Sequence, residues 1–128
     1  IDKIINKNTD RILMTGRVSD DKVKEYVSNA DLMVFPSLYE GFGLPPLEAM
    51  ACGCPVISSD LDVIKEICGN ATDYFDPMSV DSISNKILEI LSDERKKENL
   101  VRLGLTQARK YTWSESIDNS INKLREVF

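Results

Sequence analysis

The chain has 128 residues, 42% apolar and 29% charged, with a formal net charge of −5 and no histidine. At this length and apolar content one domain with a real core is the expectation, and wholesale disorder is excluded. Net acidity disfavours nucleic-acid binding by charge, and without histidine this chain supplies no histidine triad, histidine general base or histidine metal ligand.

In chain order, Ile1, Ile4 and Ile5 form an i, i+3, i+4 stripe that reads as the last turns of a helix whose start is missing, so the domain is expected to be N-terminally incomplete. The apolar run Arg11–Gly16 predicts a buried strand. Ser19 or Asp20 caps a helix over Asp21–Asn29, with Val23, Tyr26 and Val27 on one face. Leu32–Pro36 predicts a second strand and Ser37–Leu44 a loop holding Gly41 and Gly43. Pro45 and Pro46 open a helix, which Gly53 closes. Cys52, Cys54 and Cys68 are odd in number, with no second pair to complete a zinc site, and read as small buried residues rather than a disulfide or metal framework. Pro55–Ser58 predicts a third strand, Asp62–Cys68 a short helix closed by Gly69, and Thr72–Phe75 a fourth, short strand. Val80 to Leu91, Glu94–Tyr111 and Ser114–Phe128 keep a helical period. Apolar strands alternating with amphipathic helices imply an α/β fold: a Rossmann-like parallel sheet of about four strands, with helices on both faces and further helices at the C-terminus. No apolar run approaches the ~20 residues that span a bilayer, and there is no basic-then-apolar leader, so the expected compartment is the cytoplasm.

In such sheets ligands sit beyond the carboxyl ends of the strands, where Gly16–Val18, Ser37–Leu44 and Ser58–Leu61 fall. The middle segment is the informative one. A glycine-flanked loop entering a helix start makes an anion site from free amides and the positive end of the helix dipole. Pro45 and Pro46 have no N–H to offer, so the donors are the amides of Phe42, Gly43 and Leu44, with Gly43 permitting close approach. Glu48, placed in the first helical turn, is suited to accept from two vicinal hydroxyls, and Glu40 lies across the loop. A phosphate site with a carboxylate on either side fits a nucleotide-sugar. The same residues also fit a common glycine turn, a helix-start carboxylate and a surface acid, or a hydrolase carboxylate pair.

The segment Phe35–Asp60, FPSLYEGFGLPPLEAMACGCPVISSD, resembles the signature of the family-4 retaining glycosyltransferases of the GT-B fold, also called group 1 glycosyltransferases, with Glu40 and Glu48 matching its two glutamates. Leu13–Asp20, Asn29–Val34, Val63–Gly69 with Glu66, Phe75–Pro77 and Ala108–Trp113 are similar to further landmarks of that family. The resemblance implies the C-terminal, donor-binding portion of such an enzyme. It would transfer a hexose, mannose or glucose, from a UDP- or GDP-sugar to a glycan or lipid-linked acceptor, with retention and without a metal or other cofactor. It implies Glu48 on the donor ribose and Glu40 on the transferred sugar as the catalytic group. Phe42, Gly43 and Leu44 would lie on sugar hydroxyls and phosphate, and Gly16 and Val18 beside the base. The family's diphosphate-binding Arg and Lys have no match before Arg11, so the chain by itself is expected to lack the cationic clamp and the acceptor site and to be inactive. Arg17 reads as a rim residue. The setting the resemblance suggests is polysaccharide assembly at the inner face of the membrane, with peripheral membrane association or a homodimer as open possibilities. The competing readings are a non-catalytic nucleotide-sugar-binding or interaction module of the same half-fold, and a nucleotide-sugar epimerase.

Overall fold

The structure, a computed structural model, describes residues 10–127. The stripe at Ile1–Ile5 and the C-terminal Phe128 lie outside the described residues. The elements in order are α1 (Asp20–Ser28), β1 (Met33–Phe35), α2 (Leu44–Ala51), β2 (Val56–Ser59), α3 (Asp62–Cys68), β3 (Asp73–Phe75), α4 (Val80–Ser92), α5 (Glu94–Ala108) and α6 (Trp113–Val127).

The three strands form one parallel sheet in the order β1-β2-β3, with Phe35, Ser58 and Tyr74 in register. Because side chains alternate along a strand, each face of the sheet collects its own core. Met33, Phe35, Val56 and Tyr74 join the cluster built on Leu47, Met50, Ile64 and Cys68 from α2 and α3. Val34, Ile57 and Phe75 join the cluster built on Ile90 of α4 and Leu100 of α5. Helix α5 serves both, since Leu103 and Ala108 pack on the first cluster. Its buried Gly104 lets α2 approach: a Cβ there would meet Met50 Cγ at 3.0 Å. Helices on both faces of a parallel sheet are thus observed, and the β2 strand between them is buried at every residue.

The fourth strand is a correction. Arg11–Gly16 forms no ladder, and the sheet has three strands among the described residues. Its apolar side chains stay in solvent, Leu13 at 71% and Met14 at 68% exposure. An apolar run becomes a strand only where a neighbour pairs its N–H and C=O groups, and no described strand does so here. Helix α1 forms as expected, with the Ser19 hydroxyl accepting from the Lys22 amide, but it buries no residue fully, and Val23 and Tyr26 are exposed. Only Val27 reaches the core.

Candidate functional site

In a parallel sheet all the β-to-α connections leave from one edge, and the loop from β1 to α2 is the longest of those after β1 and β2. It ends at Gly43, the N-cap of α2, whose backbone is left-handed at φ 98° and ψ 44°. Gly43 is buried against α3, where a Cβ would sit 2.6 Å from Ile64 Cδ1, so the position admits only glycine without rearrangement. Helix α2 begins at Leu44, one residue before the prolines. Among the described residues the amides of Phe42, Gly43 and Leu44 donate to no protein acceptor. Pro45 and Pro46 remove the next two donors, which concentrates the positive end of the helix on those three groups.

Glu48 is the fifth residue of α2 and stands in its second turn, not the first. Extending the helix back to Leu44 is what shifts it. The dipole therefore acts on it less than the sequence suggested, since that effect falls off beyond the first turn. Its side chain is exposed and lines a cleft of about 680 Å³ between α2 and the turn joining α5 to α6. Phe42, Leu44 and Leu47 line the same wall, and Lys110, Tyr111 and Trp113 the opposite one. Of the lining residues, Phe42 and Tyr111 meet with their rings edge to face, 6.0 Å between centroids at 87°.

Glu40 sits elsewhere on the loop. It is half-buried, and the Ser37 hydroxyl lies 2.9 Å from its Oε1 and 2.9 Å from the Tyr39 carbonyl oxygen. One hydroxyl proton serves one acceptor at a time, and the carboxylate is the stronger. Ser37 thereby fixes the Glu40 side chain in a way no sequence argument had singled out; the i, i+3 spacing was the available signal.

The structure therefore brings Phe42, Leu44 and Glu48 to one cleft, whereas Gly43 is buried and Glu40 is not among the lining residues. Gly16 and Val18 are not among the residues that line this cleft. Gly16, with φ 59°, is exposed, Val18 is half-buried, and among the described residues no hydrogen bond or ion pair joins their segment to the 36–44 loop. Arg17 is likewise exposed. At the neighbouring β2–α3 connection Lys65 pairs with Asp60, whose hydrogen bond raises the lysine's pKa. The cation on the cleft itself is Lys110, which donates to Gln107 Oε1 at 2.8 Å and which sequence reasoning passed over. Among the described residues no group of three or more potential ligands is placed to hold a metal ion, and no helix is long and apolar enough to cross a membrane. The three cysteines are free, with Cys54 and Cys68 buried as expected; burial pushes the Cys68 thiol up to about 11.

Comparison with known proteins gives this geometry a family. The model described as group 1 glycosyl transferases matches residues 3–105. The O-antigen chain mannosyltransferase B of Escherichia coli is 41% identical over 107 residues, 84% of this chain and 28% of that protein. A serotype-specific mannosyltransferase of the same species is 36% identical over 112 residues, 88% of this chain and 14% of its own length. A sucrose-phosphate synthase from Thermosynechococcus elongatus superposes with a TM-score of 0.81 at 28% identity, covering 98% of this chain and 32% of that structure. The chain spans about a third or less of these proteins. With most of its length matched by the family model, the chain belongs to the group 1 glycosyltransferases.

Proposed function

We propose that this chain is the donor-binding part of a retaining glycosyltransferase that moves a hexose from a nucleotide-sugar to a glycan or lipid-linked acceptor. The observation that carries the reading is the β1–α2 loop. Three amides with no acceptor among the described residues stand at a helix start whose next two residues cannot donate, and Glu48 lines the adjoining cleft. A diphosphate on those amides places the ribose hydroxyls within the reach of Glu48, and the sugar on the side of Glu40. Mannose is the favoured sugar, because the sequence relatives reported above are mannosyltransferases. GDP- and UDP-sugars both suit the amide site, since it reads phosphate and not base.

In the mechanism this supports, the chain's groups bind and orient rather than react covalently. The amides of Phe42, Gly43 and Leu44 stabilise the charge that builds on the leaving diphosphate. Glu40, held by Ser37, positions the transferred sugar and offsets positive charge as the glycosidic bond stretches. The acceptor hydroxyl attacks from the face the diphosphate leaves, and its proton passes to the departing phosphate oxygen. No metal is needed for these roles. The complete enzyme incubated with GDP-mannose and an acceptor glycan should yield a product of unchanged anomeric configuration by NMR. Release of free mannose alone, or an inverted linkage, would refute the reading.

A further inference from the structure

We infer that Tyr111 is a positioning residue for the donor loop: its ring clamps Phe42 and so holds the three amides of Phe42, Gly43 and Leu44 in their binding arrangement. The inference rests on the donor-site reading above and adds a residue from a different part of the chain, 69 positions beyond Phe42 by numbering (111 less 42).

The loop is gripped from two sides. On the inner side Gly43 is wedged against Ile64, a wholly buried residue of α3. On the outer side Phe42 is partly in solvent, and its ring meets that of Tyr111 in a T-shaped pair. Tyr111 in turn stands on a fixed base. Its amide donates to the Ala108 carbonyl at 3.2 Å, closing the end of α5. One turn earlier the Gln107 side-chain amide donates to the carbonyl oxygen of Ile67, on the same α3 helix that carries Ile64. Helix α3 thus anchors both jaws, through Ile64 at Gly43 and through Ile67 to the α5 end that presents Tyr111. Backbone amides bind an anion well only when they are already convergent, because ordering a loop on binding opposes affinity. A ring that reduces the loop's freedom before ligand arrives acts on donor binding without touching the donor.

The contact is a ring–ring pair, and among the described residues the Tyr111 hydroxyl makes no hydrogen bond, so replacing it with hydrogen separates positioning from direct hydrogen bonding. Hydrogen exchange of the peptide spanning residues 37–47 is measured without ligand in wild type, Tyr111→Ala and Tyr111→Phe, alongside calorimetric titration with GDP and with UDP. Tyr111→Ala should speed exchange in that peptide and weaken binding of the preferred nucleotide, each about 2- to 10-fold, while Tyr111→Phe matches wild type in both. Phe42→Leu, which removes the contact from the other side and leaves the α5–α6 turn intact, should do the same, and combining it with Tyr111→Ala should add little further loss. In the complete enzyme, Tyr111→Ala should raise donor KM with kcat little changed. Unchanged loop exchange in Tyr111→Ala overturns the inference, as does faster exchange with unaltered nucleotide affinity. If the complete wild-type enzyme binds neither nucleotide, the donor-site reading fails instead, and faster exchange still supports Tyr111 as the residue that orders the loop.

Discussion

Gly43 and Ile64 are packed so closely that a single methyl on Gly43 would lie 2.6 Å from the Ile64 δ1 carbon. Two constraints coincide there: a left-handed backbone at φ 98° and a neighbour that is wholly buried and has nowhere to go. Gly43→Ala should therefore destabilise the fold by about 1–3 kcal/mol, from backbone strain and overpacking together. Ile64→Val trims the offending methyl, so the double variant should lose less than the sum of the singles, as read by urea unfolding. Simple additivity would mean the contact is not what restricts the position.

The second close approach orients α2. Gly104 of α5 lies where a Cβ would meet Met50 at 3.0 Å from Cγ and 3.2 Å from Cβ. Gly104→Ala should cost up to about 1 kcal/mol, because the contacted Met50 atoms lie next to the α2 backbone and cannot swing away, so overpacking outweighs the ~1 kcal/mol gain in helix propensity. Gly104→Val should cost about 1–3 kcal/mol and lower Tm, since its branched side chain cannot be accommodated without separating the helices.

The α4–α5 side carries an acid-sensitive cluster. Glu89 lies between Lys86 and Lys96, both of which also approach Asp73, and hydrogen bonds from Lys86 and then Lys96 hold its pKa at about 2. A carboxylate depressed in the folded state contributes stability at pH values above its unfolded pKa, near 4.3, and loses it as pH falls toward the folded value. Glu89 itself is exposed, while Lys86, Lys96 and Asp73 are half-buried, so its contribution is about 1 kcal/mol or less and shrinks with salt. Glu89→Gln should flatten the decline in stability between about pH 5 and pH 2, measured by denaturation at low ionic strength. An unchanged slope would remove Glu89 from the acid response.

Thiol reactivity should follow burial. Cys52 is half-exposed at the end of α2, whereas Cys54 and Cys68 are buried with thiols raised above their ordinary pKa by desolvation. Brief treatment of the folded protein with a maleimide at pH 7.5 should label Cys52 alone, as located by peptide mass spectrometry.

Much of this was legible in the residues, for identifiable reasons. Helix boundaries with a dedicated device were placed within a residue: the Ser19 cap, and Gly69 after α3. The buried strand β2 announced itself by its apolar run, and the loop with Glu40, Phe42 and Gly43, leading into the helix that carries Glu48, by its glycines and prolines. Arg11–Gly16 looked the same as β2 in composition, but strand formation depends on a neighbour, and that information is not local. Glu48 falls in the second turn because the helix begins at Leu44, one residue ahead of the prolines. The contributions of Ser37, Lys110 and Tyr111 came from side-chain placement; Tyr111 meets Phe42 only once α5 has folded back over α2.

The central claim is that the β1–α2 loop and Glu48 form a nucleotide-sugar donor site. It is tested most directly by steady-state kinetics of Glu48→Ala in the complete enzyme, varying donor and acceptor separately. Donor KM should rise by about 10-fold or more, as expected for loss of a carboxylate hydrogen-bonded to hydroxyls, while acceptor KM stays at the wild-type value. Unaltered donor KM, or a rise confined to acceptor KM, would contradict the assignment.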